Sequence, residues 1–108
     1  MRILGIDPGT GILGFGVIEV DDNRQSAFRL VDAGVIRTPP HTAHDERLED
    51  IFKSLTEIID AAKPDACSIE KLFFSRNITT AMTVAEARGV AILAARLNNL
   101  PIHEYTPP

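Results

Sequence analysis

Two acidic residues carry the first chemical signal in this sequence. Asp7 ends the run Ile3-Leu4-Gly5-Ile6, and Glu70 ends Ala66-Cys67-Ser68-Ile69. Apolar runs this short, bounded by turn or polar residues, read as buried strands. In open α/β sheets, sites form beyond the carboxyl ends of strands where the strand order switches. If the two runs are parallel neighbours, both carboxylates enter one crevice. Two carboxylates a few ångströms apart repel, and one takes a proton unless a cation sits between them. Oxygen ligands without His or Cys alongside suit Mg²⁺ or Mn²⁺ rather than Zn²⁺. Each acid alone is an ordinary strand-end turn residue; the pair points to a divalent cation.

The segment after Glu70 adds Lys71, Phe73, Phe74, Arg76 and Asn77. The two phenylalanines fall in a loop rather than on a periodic face. Aromatics so placed can stack on, or wedge between, nucleobases, with Arg76 on the phosphates. Their competing use is packing beneath the loop, and one of each is expected. Gly9-Thr10-Gly11-Ile12-Leu13-Gly14-Phe15-Gly16 lacks the Lys-Ser/Thr ending of a P-loop and opens no helix, so it reads as a hairpin turn. His41, His44 and His103 have no ligand spacing, with His44 falling in a first helix turn. Cys67, in mid-strand, reads as a small buried hydrophobe, and Met82 as packing.

The elements that must position these residues follow from periodicity. Strands are expected over the apolar run before Asp7, over Leu13–Val20 with one glycine-flattened face, and over Ala27–Arg37. In the last of these Phe28, Leu30, Gly34 and Ile36 share a side. Short connections make the three an antiparallel meander. Leu48, Ile51, Phe52, Leu55, Ile58, Ile59 and Ala62 then follow helical spacing. Thr42 and Asp45 resemble a capping box, Lys63-Pro64 stops the helix, and the acids of its first turns suit the helix dipole. A parallel strand over Ala66–Glu70 comes next. A second helix, capped by Asn77 or Thr79 and carrying an Ala81, Ala85, Gly89 and Ile92 stripe, runs to about Leu97. That stripe of small residues suits either packing on the sheet or a dimer contact. Asn98-Asn99 ends the helix, and a final strand spans Pro101 to Tyr105. The order is βββαβαβ: a mixed five-stranded sheet with helices on its faces.

With 108 residues, the chain makes one domain, residues 1–108, with room for a core but not for two domains. No apolar run approaches the roughly 20 residues that span a bilayer, and the N-terminus meets a charge and a proline too early for a secretory signal. A single cysteine excludes an internal disulfide framework and a Cys-rich zinc site. These features point to a cytoplasmic protein with no membrane partner. The net charge of −4 does not advertise nucleic acid, but residues 1–70 hold seven Lys/Arg against 13 Asp/Glu, and residues 71–108 hold four against two. A polyanion is therefore expected near the second region, from Lys71 and Arg76 onward.

Several segments, in order, resemble one family. Ile3-Leu4-Gly5-Ile6-Asp7-Pro8-Gly9-Thr10 and Gly14-Phe15-Gly16-Val17-Ile18-Glu19 look like the first two strands of RuvC-type Holliday junction resolvases. Ile69-Glu70-Lys71-Leu72-Phe73-Phe74-Ser75-Arg76-Asn77 looks like their second acidic motif with its aromatic loop. Ala87-Arg88-Gly89-Val90-Ala91 and His103-Glu104-Tyr105-Thr106-Pro107 match the helix and strand that follow. The resemblance implies a ribonuclease H-like fold and a homodimer on a four-way DNA junction. It also implies metal-dependent hydrolysis, giving symmetric paired nicks in recombination and repair, with a branch migration helicase complex as partner. By the same resemblance Asp7 and Glu70 hold catalytic metals, Phe73 lies where the junction's bases are disturbed, and Arg76 lies near the backbone. Gly11 stands where the family often has a basic residue, which implies one weaker backbone contact. The family also continues for several dozen residues, through a helical segment with two further metal ligands. The chain is therefore expected to be truncated and inactive alone. Two other readings compete: a phosphate-binding half-domain like those of actin-like ATPases and sugar kinases, and a non-catalytic DNA- or partner-binding module.

Overall fold

The computed structural model describes residues 1–9, 11–21, 23, 27–39, 41–71 and 78–105. Strands β1 (Arg2–Pro8), β2 (Ile12–Val20) and β3 (Phe28–Arg37) come first, then helix α1 (His44–Ala62), strand β4 (Ala66–Glu70), helix α2 (Ile78–Leu97) and strand β5 (Ile102–Tyr105). The sheet order is β3-β2-β1-β4-β5. β1, β2 and β3 pair antiparallel, whereas β4 pairs parallel with both β1 and β5. This is the expected element order in a ribonuclease H-like arrangement.

Alternation along the strands decides which face is covered. Leu4 and Ile6 of β1, Leu13 and Val17 of β2, and Cys67 and Ile69 of β4 are all buried. They form one core with Ile51, Leu55 and Ile59 of α1 and Ala87, Ala91, Ala94 and Ala95 of α2. Both helices therefore lie on the same face of the sheet. Alanine at the contact positions lets α2 approach closely, since no long side chain holds the backbones apart. No helix among the described residues is long and apolar enough to cross a membrane.

Three expectations about these elements need correction. Thr42 does not cap α1: the N-cap is Ala43, in extended conformation, with no side-chain cap bond. The helix starts one residue too late for Thr42, whose amide donates instead to Pro39 O at 3.1 Å. Thr79 likewise lies inside α2 rather than before it. Second, the buried stripe of α2 runs through Ala87, Ala91, Ala94 and Ala95, not through Ala85 and Gly89. Small apolar residues surround this helix, so periodicity alone singles out no face. Third, Phe28 and Leu30 do not share a side with Gly34 and Ile36. Val17 pairs with Asp32 but Ile18 pairs with Leu30, so Val31 is an extra residue, a β-bulge. One inserted residue exchanges the faces of everything beyond it. Gly34 and Ile36 share the side of Phe15 and Leu13, with Ile36 buried, while Phe28 and Leu30 are exposed on the open face.

The helix ends behave as their sequences require. Lys63 is left-handed at φ 49° and its amide bonds Ile59 O at 2.8 Å, which closes α1 before Pro64. Asn99, also left-handed at φ 62°, follows α2, and the Leu100 amide returns to Ala95 O.

Two measurements test this core. Leu55 is fully buried at the centre of α1, so Leu55→Ala should destabilise the chain by about 2–5 kcal/mol in urea unfolding. Burial pushes the Cys67 thiol up to about 11. A thiol reagent at pH 8 should label native Cys67 slowly, and one full equivalent after unfolding in guanidinium. The unfolded thiol ionises below the folded one, so the stability tied to Cys67 is intact at neutral pH. It should fall as pH rises through the window from the ordinary thiol range to about 11.

Candidate active site

The register of β1 against β4 places the two acids. Ile3 pairs with Ala66, Leu4 with Cys67, Gly5 with Ser68 and Ile6 with Ile69. The next position on each strand is Asp7 and Glu70. Registered residues of a parallel pair share a face, and neighbouring strands run about 4.8 Å apart. Leu4, Ile6, Cys67 and Ile69 face the helices, so Asp7 and Glu70 both stand on the opposite, open face. They meet at the carboxyl ends of two adjacent strands, Asp7 exposed and Glu70 half-buried.

The surroundings keep this spot open. Gly14 pairs with Asp7 across β1–β2, and a Cβ there would come 3.9 Å from Asp7 Cβ. Glycine therefore leaves one flank of Asp7 uncovered. Asp7 lines a shallow depression with Gly5, Gly14, Ala33, Val35 and Tyr105. Tyr105 is in register with Glu70 across β4–β5, so it lies on the same face. Lys71 is exposed immediately beyond Glu70, and its amide donates to Tyr105 O at 2.7 Å. Phe73, Phe74, Arg76 and Asn77 lie outside the described residues.

The turn leading away from Asp7 accepts only glycine at two points. A Cβ on Gly9 would sit 2.7 Å from Ile12 O, and Gly11 has φ +73°. The stretch is thus a tight hairpin connection, as its composition suggested. A Cβ on Gly11 would also lie 2.9 Å from Arg47 Nη2. A guanidinium reaching in from α1 therefore stands against the Gly11 backbone. Arg47 is held there by its Nε bond to Thr38 Oγ1 at 3.0 Å.

Arg47 and Tyr105 are not marked in the linear order of residues. A lone arginine within a helix carries no periodic signal, and Tyr105 joins the site only through the β4–β5 register. His44 bridges α1 to α2 through Glu86 at 3.2 Å, and His103, in register with Ser68, is exposed on the open face two residues before Tyr105.

In chemical terms, the pair offers hard carboxylate oxygens on a surface open to water. That donor set fits part of an Mg²⁺ or Mn²⁺ shell, the remainder being water. Among the described residues no group of three or more His, Cys, Asp or Glu is placed to hold a metal.

Known proteins match this chain over nearly its whole length. A family model described as Crossover junction endodeoxyribonuclease RuvC matches residues 3–108. The chain is 52% identical over 107 residues to the crossover junction endodeoxyribonuclease RuvC of Heliobacterium modesticaldum, covering 99% of this chain and 64% of that protein. The protein of the same name from Chloroflexus aurantiacus is 45% identical over 107 residues, with 99% and 63% covered. A solved structure of T. thermophilus RuvC in complex with Holliday junction substrate matches with a TM-score of 0.89 at 32% identity, covering 99% of this chain and 66% of that one. The chain spans just under two thirds of the length of these relatives. Matched from its first strand to its last residue, in sequence and in fold, the chain belongs to the RuvC family of crossover junction endodeoxyribonucleases.

Proposed function

We propose that this chain is the acid-bearing part of a structure-specific endonuclease that resolves four-way DNA junctions by metal-dependent, symmetric paired nicks. The single observation that carries the reading is the placement of Asp7 and Glu70 on one face at the ends of adjacent parallel strands. An Mg²⁺ or Mn²⁺ ion held by Asp7 and Glu70 would supply Lewis-acid chemistry there, for activating water and stabilising a leaving oxygen. The chain's own task is to hold and aim: Asp7 and Glu70 present oxygens to the ion. Lys71, Arg76 and Asn77 contact the DNA backbone, and of the two loop phenylalanines Phe73 is the one that disturbs the bases beside it. Lys71 and Arg76 follow Glu70 closely in the chain, and their charge supports DNA beside the acids. The phosphate-binding alternative has nothing left that it alone explains, because the family match spans the Gly9–Gly16 turn. A cytoplasmic location and a branch migration helicase complex as partner belong to the same reading.

Fixing metal ions for in-line attack takes more anionic ligands than Asp7 and Glu70 supply. Losing one well-placed electrostatic group costs about 10²–10³ in rate. A labelled synthetic junction in Mg²⁺ or Mn²⁺ should therefore survive this chain. Paired nicks should appear with a chain extended by the remaining third of a relative such as that of Heliobacterium modesticaldum. Equal cleavage by both would show that two acids suffice and would overturn this account of the site.

The homodimer finds support on α2. Met82, Leu93 and Leu97 are 57%, 50% and 61% exposed. At 100° per residue they form one stripe with Gly89, opposite the buried alanines. Two such stripes can pack with close backbone approach at Gly89, where a Cβ would meet nothing. Of the small residues first suggested for this contact, Ala81 is buried and only Gly89 lies fully exposed. Sedimentation at micromolar concentration should give a dimer, and Leu93→Asp a monomer. A parent chain that is monomeric throughout would exclude the contact.

A further inference from the structure

Arg88 stands on the sheet-facing side of α2, beneath the ends of β4 and β5. Its Nε donates to the backbone oxygen of Glu70 at 3.0 Å. Its Nη2 lies 3.2 Å from Glu104 Oε1, and the Arg88 side chain is only 17% exposed. A guanidinium presents its donors in a rigid planar fork, so both contacts are made in one geometry. Glu104 is in register with Ile69 and faces the helices, whereas Glu70 is in register with Tyr105 on the open face. Arg88 thus grips, from the helix side, the residue whose carboxylate stands on the other side of the sheet. The grip falls one residue beyond Ile6–Ile69, where the β1–β4 register closes. Lys71 N–H to Tyr105 O holds the following peptide against β5.

We propose that Arg88 is a positioning residue, whose guanidinium fixes the end of β4 and so aims the Glu70 carboxylate at a cation shared with Asp7. This inference rests on the metal-holding reading of Asp7 and Glu70 given above. Groups bonded behind a metal ligand set its orientation, and their loss lowers metal affinity by about 10–100-fold. Lysine in place of Arg88 keeps the charge beside Glu104 but has no fork to reach the Glu70 oxygen as well.

The test is a Mn²⁺ titration of the ¹⁵N-labelled chain, read as paramagnetic broadening of the Asp7 and Glu70 amide signals. Thermal unfolding of each variant is recorded alongside. Asp7→Asn and Glu70→Gln should abolish saturable broadening. Arg88→Met should raise the Kd about tenfold at a temperature where the variant is fully folded, and Arg88→Lys should fall between it and the parent. If both acid variants lose binding while Arg88→Met and Arg88→Lys match the parent Kd, Arg88 has a structural role only and the proposal is overturned. Should Arg88→Met not fold, Arg88→Lys decides: a weakened Kd supports positioning, and an unchanged one refutes it. Broadening that survives both acid variants would instead remove the shared cation, and the role of Arg88 with it.

Discussion

The parallel pairing of β1 with β4 is the constraint on which the site depends. It is a non-local contact: a parallel neighbour needs a crossover of a dozen or more residues, and α1 supplies it. Its register is held by Leu4, Ile6, Cys67 and Ile69, all facing the helices. Burying a leucine or isoleucine side chain contributes about 1.5–3 kcal/mol. A slip of one residue would turn one strand's pair out to water. Hydrophobic burial therefore fixes the register strongly, and the carboxylates reach the open face as a consequence. Register alone brings both acids to that face, and the Arg88 bond to the Glu70 backbone oxygen then holds the end of β4.

The opposite end of β1 is tied down separately. The Arg2 amide donates to Asp65 Oδ2 at 2.8 Å, Arg2 Nη1 donates to Ala62 O at 2.8 Å, and Arg2 Nε pairs with Glu19 Oε2 at 2.7 Å. One residue thus joins β1 to β2, to the end of α1 and to the α1–β4 connection. The hydrogen bond from Arg2 holds the Glu19 carboxyl below its ordinary range. Both charges are partly exposed, so their worth is more in alignment than in stability. With Arg2 at one end and Arg88 near the other, the two strands that carry Asp7 and Glu70 are pinned along their length.

One-sided packing divides the work between the faces. α1 and α2 cover the face that holds the core. The open face carries Gly5, Gly14 and Gly16, which leave the sheet flat beside Asp7. The bulge at Val31 adds Phe28 and Leu30 to that same face, at its far edge. α2 serves twice, since its alanines pack inward while Met82, Leu93 and Leu97 point away.

Much of this was legible in the linear order of residues. Apolar runs ending in Asp7 and Glu70, the helical spacing of Leu48 to Ala62 and the stop at Lys63-Pro64 report local physics. Strand alternation, helix periodicity and a left-handed cap depend on near neighbours in the chain. The seven elements, their order and the identity of the two acids were determined at that level. Where elements met, local rules lost their hold. The bulge that sends Phe28 and Leu30 to the other face exists only in the pairing of β3 with β2. The buried side of α2 was set by what it packs on, because small residues surround it. Arg47 over Gly11, Tyr105 beside Glu70 and Arg88 behind it join residues from 18 to 36 positions apart. Such contacts depend on strand register and helix packing, which the tertiary structure alone decides.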